Sequence, residues 1–266
     1  MSTDNLQTEI DTTLAKALAS GMRWHEQSDS ESLASDLSEA ICDRLTTAIN
    51  EHGRASLVVS GGSTPAPVFA KLSLAQLDWS KVTVTLADER WVAPDHADSN
   101  ESLVRNTLLV NNASAASFVS LYRGNCTPEQ ALEPVSDELA GMLMPFSVVI
   151  LGMGGDGHTA SLFPDAPADE LANAMSLENE ASVAIMHPPS VNQARITLTR
   201  RCLLDAQHRF VHITGDEKKS VLLQAMAESA SASLDGAPFA AYTKGQAPIV
   251  GLVTDNMASV SVYWSK

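Results

Sequence analysis

At 266 residues the chain can form one large domain or two small ones, and 44% hydrophobic with 18% charged residues is the balance of a globular protein, not a disordered one. Its 17 basic residues stand against 32 acidic ones, a formal net charge of −15 at pH 7. That field repels phosphate backbones and anionic headgroups, so nucleic acid and membrane surfaces are excluded as first choices of partner. No apolar run approaches the roughly 18 residues of a membrane-spanning helix.

The N-terminus shows no basic leader followed by an apolar stretch and a cleavage site, and Cys42, Cys126 and Cys202 lie far apart with no C-x-x-C spacing. These features predict a reducing, cytoplasmic setting. Thiols that are buried or merely tolerated are expected, with no disulfide framework and no thiolate zinc site.

Residues 1–32 carry no clear period. Leu14, Ala17 and Leu18 could share one face of a short first helix, and the segment is expected to be an N-terminal extension to a domain spanning 33–266. From Leu33 the apolar spacing becomes helical through Leu37, Ala40, Ile41, Leu45, Ala48 and Ile49. Residues 55–60 are short, apolar and β-branched, and Gly61-Gly62-Ser63-Thr64-Pro65 follows, so a strand, a tight loop and a helix start succeed one another.

Residues 81–87 alternate as a strand ending at Asp88-Glu89-Arg90, and 99–110 read as a helix with Ser99 as its cap. A strand is expected at 118–122, a helix at 128–143 with proline in its first turn, and a strand buried on both faces at 146–151. Later strands are expected at 182–186, 195–199, 208–214 and 259–264, with a helix from 216 to about 228 and a helix end plus loop at 227–233. Alternation of strands and helices, with no long linker, repeat or low-complexity tract, predicts a single α/β domain. Its sheet would be mostly parallel, with helices on both faces.

In such sheets ligands gather at the carboxyl ends of the strands, where loops lead into helix N-termini with free N–H groups. Four segments occupy that edge: SGGSTP at 60–65, DERW at 88–91, GMGGDGHTASLFP at 152–164 and TGDEK at 214–218. Gly61 and Gly62 let backbone approach a ligand closely, and Ser63 and Thr64 add hydroxyls at a helix start, a composition suited to a phosphate; the bland alternative makes Thr64 an ordinary N-cap. Lys218 falls in the first turn of a helix, where a cation opposes the helix dipole. It is either a ligand-binding residue or a solvated surface lysine.

Gly152, Gly154 and Gly157 match G-x-G-x-x-G, but Pro164 comes too soon for the long helix of a dinucleotide fold and Asp156 would repel a pyrophosphate. The better reading makes Asp156-Gly157-His158 a general-base unit, an imidazole that titrates near neutrality oriented by a neighbouring carboxylate. His208 and His212 share a strand face but lack a third ligand, so no metal site is expected, and His25, His52, His96 and His187 are expected on the surface or in loops. With no G-x-S-x-G elbow, any hydrolysis would use activated water.

Taken in order, SGGSTP, DERW leading to Ser99-Asn100, GMGGDGHTASLFP, the stretch from Arg195 through Thr199, and TGDEK resemble the 6-phosphogluconolactonase family over about residues 33–264. The resemblance implies a Rossmann-like fold shared with glucosamine-6-phosphate deaminases. It also implies hydrolysis of 6-phospho-D-glucono-1,5-lactone to 6-phosphogluconate, the second step of the oxidative pentose phosphate pathway, without metal or organic cofactor. His158 would be the base, Asp156 its orienting partner, and N–H groups around Gly154 and Gly155 the oxyanion donors. Arg90, Arg195 and Lys218 match family positions for the phosphate or sugar acid, helped by Gly61, Gly62, Ser63 and Thr64, and would supply local positive charge within an acidic protein.

Asp88 is left with two roles, bonding sugar hydroxyls or pairing with Arg90. The partner implied is a small phosphorylated lactone, and the oligomeric state is not legible, a monomer being compatible with everything read. Two rivals stay open. An isomerase or deaminase on the same fold would need the glutamate that those relatives carry five residues after the histidine, where this chain has Phe163, and a tyrosine where it has Arg90. A non-catalytic sugar-phosphate sensor is the other, disfavoured because Asp156 and His158 are both kept.

Overall fold

The computed structural model describes residues 3–233 and 242–266. Along the chain lie α1 (Thr3–Ala19), β1 (Arg23–Gln27), α2 (Ser30–His52), β2 (Ala55–Val59), α3 (Ala66–Ser73), β3 (Val82–Leu86), β4 (Asp88–Arg90), α4 (Asn100–Thr107), β5 (Ser117–Val119) and α5 (Pro128–Ala140). There follow β6 (Phe146–Leu151), α6 (Ala168–Met175), β7 (Val183–Met186), β8 (Arg195–Leu198), α7 (Arg200–Leu204), β9 (Ala206–Thr214), α8 (Asp216–Ser231), α9 (Val250–Val253) and β10 (Val260–Ser265). None of the described helices is long and apolar enough to cross a membrane.

Among the described residues, seven strands form one sheet in the order β1-β10-β9-β6-β2-β3-β5, every pair parallel. Parallel strands with short apolar runs need cover on both faces, and the helices supply it. On one face α2 lays Leu33, Leu37, Ile41 and Leu45 into the main core; its start is capped by Asp29, which accepts from Ser32 N at 2.8 Å, and its end by Gly53 at φ 73°. On the other face Val211, Ile213, Val262 and Trp264 meet Leu222 and Met226 of α8 and Ala17 of α1. The alternation of β9 and β10 between the two cores is the period-2 signature of a strand covered twice.

From β2 the chain winds outward through β3 and β5, and from β6 it winds the other way through β9 and β10. The reversal falls between β2 and β6, which pair directly through Leu57 with Val148 and Val58 with Val149. Strand ends at such a reversal splay their connections to opposite sides and leave a crevice at the carboxyl edge. Beneath it the two strands are tied by Ser56 Oγ, which donates to Leu143 O at 2.7 Å while Ser147 N donates to it at 3.0 Å.

Most expected strands and the long α2 appear as read. The structure adds a second layer that the alternation pattern did not predict, an antiparallel sheet in the order β4-β8-β7. It arises because the chain does not stop at Ala87. Ala87 N donates to Val59 O in the large sheet while Ala87 O accepts from Leu198 N in the small one, so one residue hands the strand across.

Strand β1 was also unexpected: it pairs with the carboxyl-terminal β10, which places His25 in the sheet, stacked on Tyr263 at 4.2 Å, not in a loop. The helices at 99–110 and 128–143 are shorter than expected, ending at Thr107 and Ala140, and the strand at 118–122 is instead Ser117–Val119. Short α6, α7 and α9 carry too few residues to show a period and escaped the reading.

Candidate active site

Where β2 and β6 part, a cleft of about 270 Å³ opens. It is floored by the ends of β6 and β9 and walled by the segment 60–65, Asp88, Arg90, Asn100, the loop 152–160 and Lys218. Three of the four segments singled out in the sequence therefore reach one cavity directly, and TGDEK reaches it through Lys218.

The loop after β6 is folded around its histidine. Gly154 N donates to His158 O at 2.9 Å, Gly157 takes φ 79°, and Asp156 Oδ1 accepts from His158 N at 3.1 Å. The same carboxylate oxygen lies 2.6 Å from His158 Nδ1. An ionised carboxylate can only accept, so this contact puts the proton of a neutral imidazole on Nδ1 and leaves the Nε2 lone pair free. Phe163 stacks on the ring at 4.2 Å, and Thr159 Oγ1 donates to Gly152 O at 2.8 Å to close the loop.

This geometry bears on one expectation. The N–H of Gly154, expected as an oxyanion donor, is engaged inside the loop by His158 O, and the glycine is required because a Cβ there would lie 2.2 Å from His158 Cε1. Gly155 is exposed and does not line the cleft, its would-be Cβ facing Glu217 Oε1 at 3.7 Å.

The corner after β2 presents backbone and hydroxyls. Ser60 Oγ donates to Ile150 O at 3.0 Å and accepts from Gly152 N at 3.3 Å, locking the two corners together. Gly61 makes room for Asn100, since a Cβ would fall 1.8 Å from Asn100 Oδ1, and Gly62 takes φ 97°. The residue capping α3 is Pro65, with no side-chain cap bond, so Thr64 is not the N-cap that the bland reading allowed. Ser63, Thr64 and Pro65, at the start of α3, line the cleft.

Glu89 and Asp88 acquire roles that the sequence did not disclose. Glu89 is fully buried, and its carboxylate accepts from Asn100 N at 2.8 Å, Glu101 N at 2.7 Å, Arg90 N at 2.7 Å and Ser99 Oγ at 3.0 Å. It caps α4 from another element and so fixes Asn100 at the cleft wall. Burial pushes its carboxyl above the usual range, opposed by those hydrogen bonds. Asp88 makes no ion pair with Arg90; it accepts from Ser161 Oγ at 2.5 Å, and its backbone oxygen accepts from Asn100 Nδ2 at 2.9 Å.

Arg90 lines the cleft and donates to Asp98 O at 2.6 Å, with the rest of its guanidinium fork uncommitted among the described residues. Arg195, its register partner across β4 and β8, is only 5% exposed and does not line the cleft; burial and then the neighbouring Arg90 charge push its pKa down. The contrast between Lys218 and Lys219 is sharper. Lys219 is engaged by Glu26 at 3.0 Å and lies over the Trp264 ring at 3.8 Å. Lys218 lines the cleft and forms no ion pair among the described residues.

One cleft residue was missed. His212, read only as a strand residue unsuited to metal binding, lies on the cleft floor at 4% exposure. The signal available was its place two residues before TGDEK, at the carboxyl end of a strand, the edge where the other candidates were sought.

Comparison with known proteins agrees with this geometry. The sequence model of the family described as glucosamine-6-phosphate isomerases/6-phosphogluconolactonase matches residues 28–250. The chain is 40% identical over 235 residues to a 6-phosphogluconolactonase of Rhizobium meliloti, covering 87% of this chain and 95% of that protein. It is 43% identical over 194 residues to one of Pseudomonas aeruginosa, covering 73% and 81% respectively. The crystal structure of a 6-phosphogluconolactonase from Shewanella baltica superposes with a TM-score of 0.79 at 36% identity, covering 92% of this chain and 98% of that one.

Proposed function

We propose that this chain, which belongs to the glucosamine-6-phosphate isomerase/6-phosphogluconolactonase family, hydrolyses 6-phospho-D-glucono-1,5-lactone to 6-phosphogluconate. The observation that carries the reading is the Asp156–His158 contact of 2.6 Å on the wall of a cleft that also holds Arg90 and Lys218. A base with a free Nε2 and two cations face one cavity in a protein whose net charge is −15.

In the proposed reaction His158 Nε2 takes a proton from water as the oxygen attacks the lactone carbonyl. The tetrahedral intermediate collapses with cleavage of the bond to the ring oxygen, which receives that proton from the imidazolium; a single imidazole serves both steps. Asp156 holds the tautomer and the ring orientation and favours the imidazolium while it exists. The phosphate is assigned to Arg90, Lys218 and the hydroxyls of Ser63 and Thr64 at the open start of α3, a constellation of charge-assisted donors and helix N–H groups. Arg195 backs Arg90 and does not itself reach the cleft.

Phe163 favours this reading over the isomerase or deaminase. Where the resemblance places a glutamate in the deaminases, this chain stacks an apolar ring on His158, and no carboxylate stands there to move a proton during ring opening. Three free thiols, Cys42, Cys126 and Cys202, support a reducing, cytoplasmic setting for the reaction.

The test generates the lactone in place, enzymatically, and follows its disappearance with and without the purified protein. Acceleration above spontaneous hydrolysis is expected, with the non-phosphorylated lactone a poor substrate. No acceleration, together with tight binding of 6-phosphogluconate, would replace the enzyme with the sensor.

A further inference from the structure

His212 enters the cleft from a strand position that the proposed chemistry does not use. It lies in β9, on the same sheet face as Phe210, and its register partner in β10 is Tyr263. On the other side β6 pairs Leu151 with Val211, so the position beside His212 is Gly152, where a Cβ would meet nothing within 4 Å. The flank of the imidazole thus opens into the cleft and not against another side chain.

Although the residue is only 4% exposed, neither Nδ1 nor Nε2 has a hydrogen-bond partner among the described residues. A buried polar group left in that condition has given up its hydration with nothing in return, so such groups are nearly always satisfied. Here two such atoms belong to one ring that lines the one cleft where Arg90, Lys218 and His158 converge.

Resting on the lactonase reading, we propose that His212 is a substrate-contacting residue that recognises hydroxyl groups of the phosphorylated sugar, one ring nitrogen donating and the other accepting. The chemistry of the two ends of the substrate decides the assignment. A neutral imidazole offers one N–H and one lone pair, whereas a phosphate carries only acceptors at neutral pH and can satisfy the N–H alone. Sugar hydroxyls donate and accept, and so can satisfy both nitrogens.

The ring is held neutral. Burial, reinforced by the Lys218 charge, pushes its pKa down to about 4, so it does not become a third cation for the phosphate. A site built to bond a substrate hydroxyl rejects an analogue that lacks it, because the protein groups are then left unpaired. His212 is accordingly a specificity residue, complementary to Lys218, which takes charge but cannot accept a hydrogen bond.

The test measures equilibrium binding of 6-phosphogluconate and of inorganic phosphate to the wild-type chain, His212→Leu and His212→Gln. His212→Leu is expected to weaken the sugar acid by about tenfold or more, with His212→Gln recovering part of the loss, while phosphate binds all three within about twofold. Unchanged sugar-acid affinity, or equal losses for sugar acid and phosphate, overturns the proposal. Should the leucine variant not fold, the wild-type protein with ¹⁵N-labelled imidazoles decides. Saturation with 6-phosphogluconate should shift both His212 ring nitrogens and phosphate alone should leave them in place; shifts of equal size with the two ligands, or none, overturn it. Because these are binding measurements, a chain that fails to hydrolyse the lactone would refute the proposed function without touching this result.

Discussion

The two corners that face each other across the cleft, the segment 60–65 after β2 and the loop 152–160 after β6, are both rich in glycine and use it for opposite ends. After β2 the glycines clear side chains away, so that Asn100 can pack against Gly61 and the open start of α3 can meet a ligand. After β6 the glycine at 154 clears space for one side chain of its own loop, the His158 ring. A helix follows at once in the first corner and only from Ala168 in the second. The same composition thus yields an open backbone surface in one place and a mount for a single imidazole side chain in the other.

If that division is right, the largest effect in the molecule belongs to the mounted side chain. His158→Gln should lower kcat by roughly a hundredfold to ten-thousandfold, the worth of general acid–base assistance, with KM changed little. Steady-state kinetics beside a thermal melt would check it, since a variant with an unchanged melt that still turns over near the wild-type rate places the base elsewhere.

The glycines themselves separate the corners more finely. Gly154→Ala puts a methyl 2.2 Å from His158 Cε1 and should cost about tenfold to a hundredfold in kcat by turning the ring off its line. Gly61→Ala puts one 1.8 Å from Asn100 Oδ1 and should act chiefly on KM, through the displaced cleft wall. Equal effects of both substitutions on kcat would erase the distinction between a binding corner and a catalytic one.

A cation series asks whether phosphate belongs to the first corner and its neighbours. Arg90→Ala and Lys218→Ala should each raise KM about tenfold to a hundredfold, the loss of a charge-assisted contact. Lys219→Ala, one residue away, removes an exposed pair with Glu26 worth no more than about 1 kcal/mol and should leave KM where it was. A comparable rise in KM for Lys219→Ala would mean that the distinction between engaged and uncommitted lysine has no functional content.

Stability against pH distinguishes the floor of the cleft from its walls. His212 is held neutral in the folded chain, its pKa about 4 against about 6.5 when unfolded, so its contribution is whole above pH 6.5 and is lost as pH falls toward 4. The slope from this one residue is at most about 1.4 kcal/mol per pH unit, and His212→Leu should flatten the acid limb of an unfolding series by up to that amount. His208, pushed down to about 4 mainly by burial, keeps part of the limb in the variant. An identical slope in wild type and variant would contradict the neutral, buried state of His212.

How much of this was legible beforehand follows from what each signal measures. Period and turn chemistry report local preference, and so α2, β2, β6 and the alternation of strands with helices were readable, as was the convergence of the four segments on one sheet edge. The small antiparallel sheet was not, because the charged triplet Asp88-Glu89-Arg90 reads as the end of a strand, whereas Ala87 changes partners and the chain continues extended into a second sheet. The roles of Asp88 and Glu89 were hidden for a related reason: Glu89 caps a helix that starts eleven residues on and Asp88 bonds Ser161, and neither pairing leaves a local spacing to recognise. Gly154 was assigned a donor role that its own loop consumes, which only the fold of residues 154–158 reveals. His212 looked inert because strand position alone says nothing of whether a ring nitrogen finds a partner.

The smallest expected effect tests the catalytic corner for stored strain. After β2 the positive φ falls on Gly62, but after β6 it falls on Gly157 and also on Ala160, at φ 49°. For an L-residue that conformation costs roughly 1–2 kcal/mol, relieved by glycine at the expense of about 0.5–1 kcal/mol of extra unfolded-chain entropy. Ala160→Gly should therefore stabilise the protein by about 0.5–1 kcal/mol, a rise in Tm of roughly 1–4 °C at this chain length. Ala160 also packs against the main core, so the methyl has something to lose. If its packing outweighed the strain, Tm would fall. The kinetic reading is the sharper one, because a residue held in an unfavourable conformation beside the proposed base fixes where the loop ends. Release of that constraint should lower kcat a few-fold while Tm rises, and a variant that gains stability without losing rate would show that the strain is incidental to the chemistry.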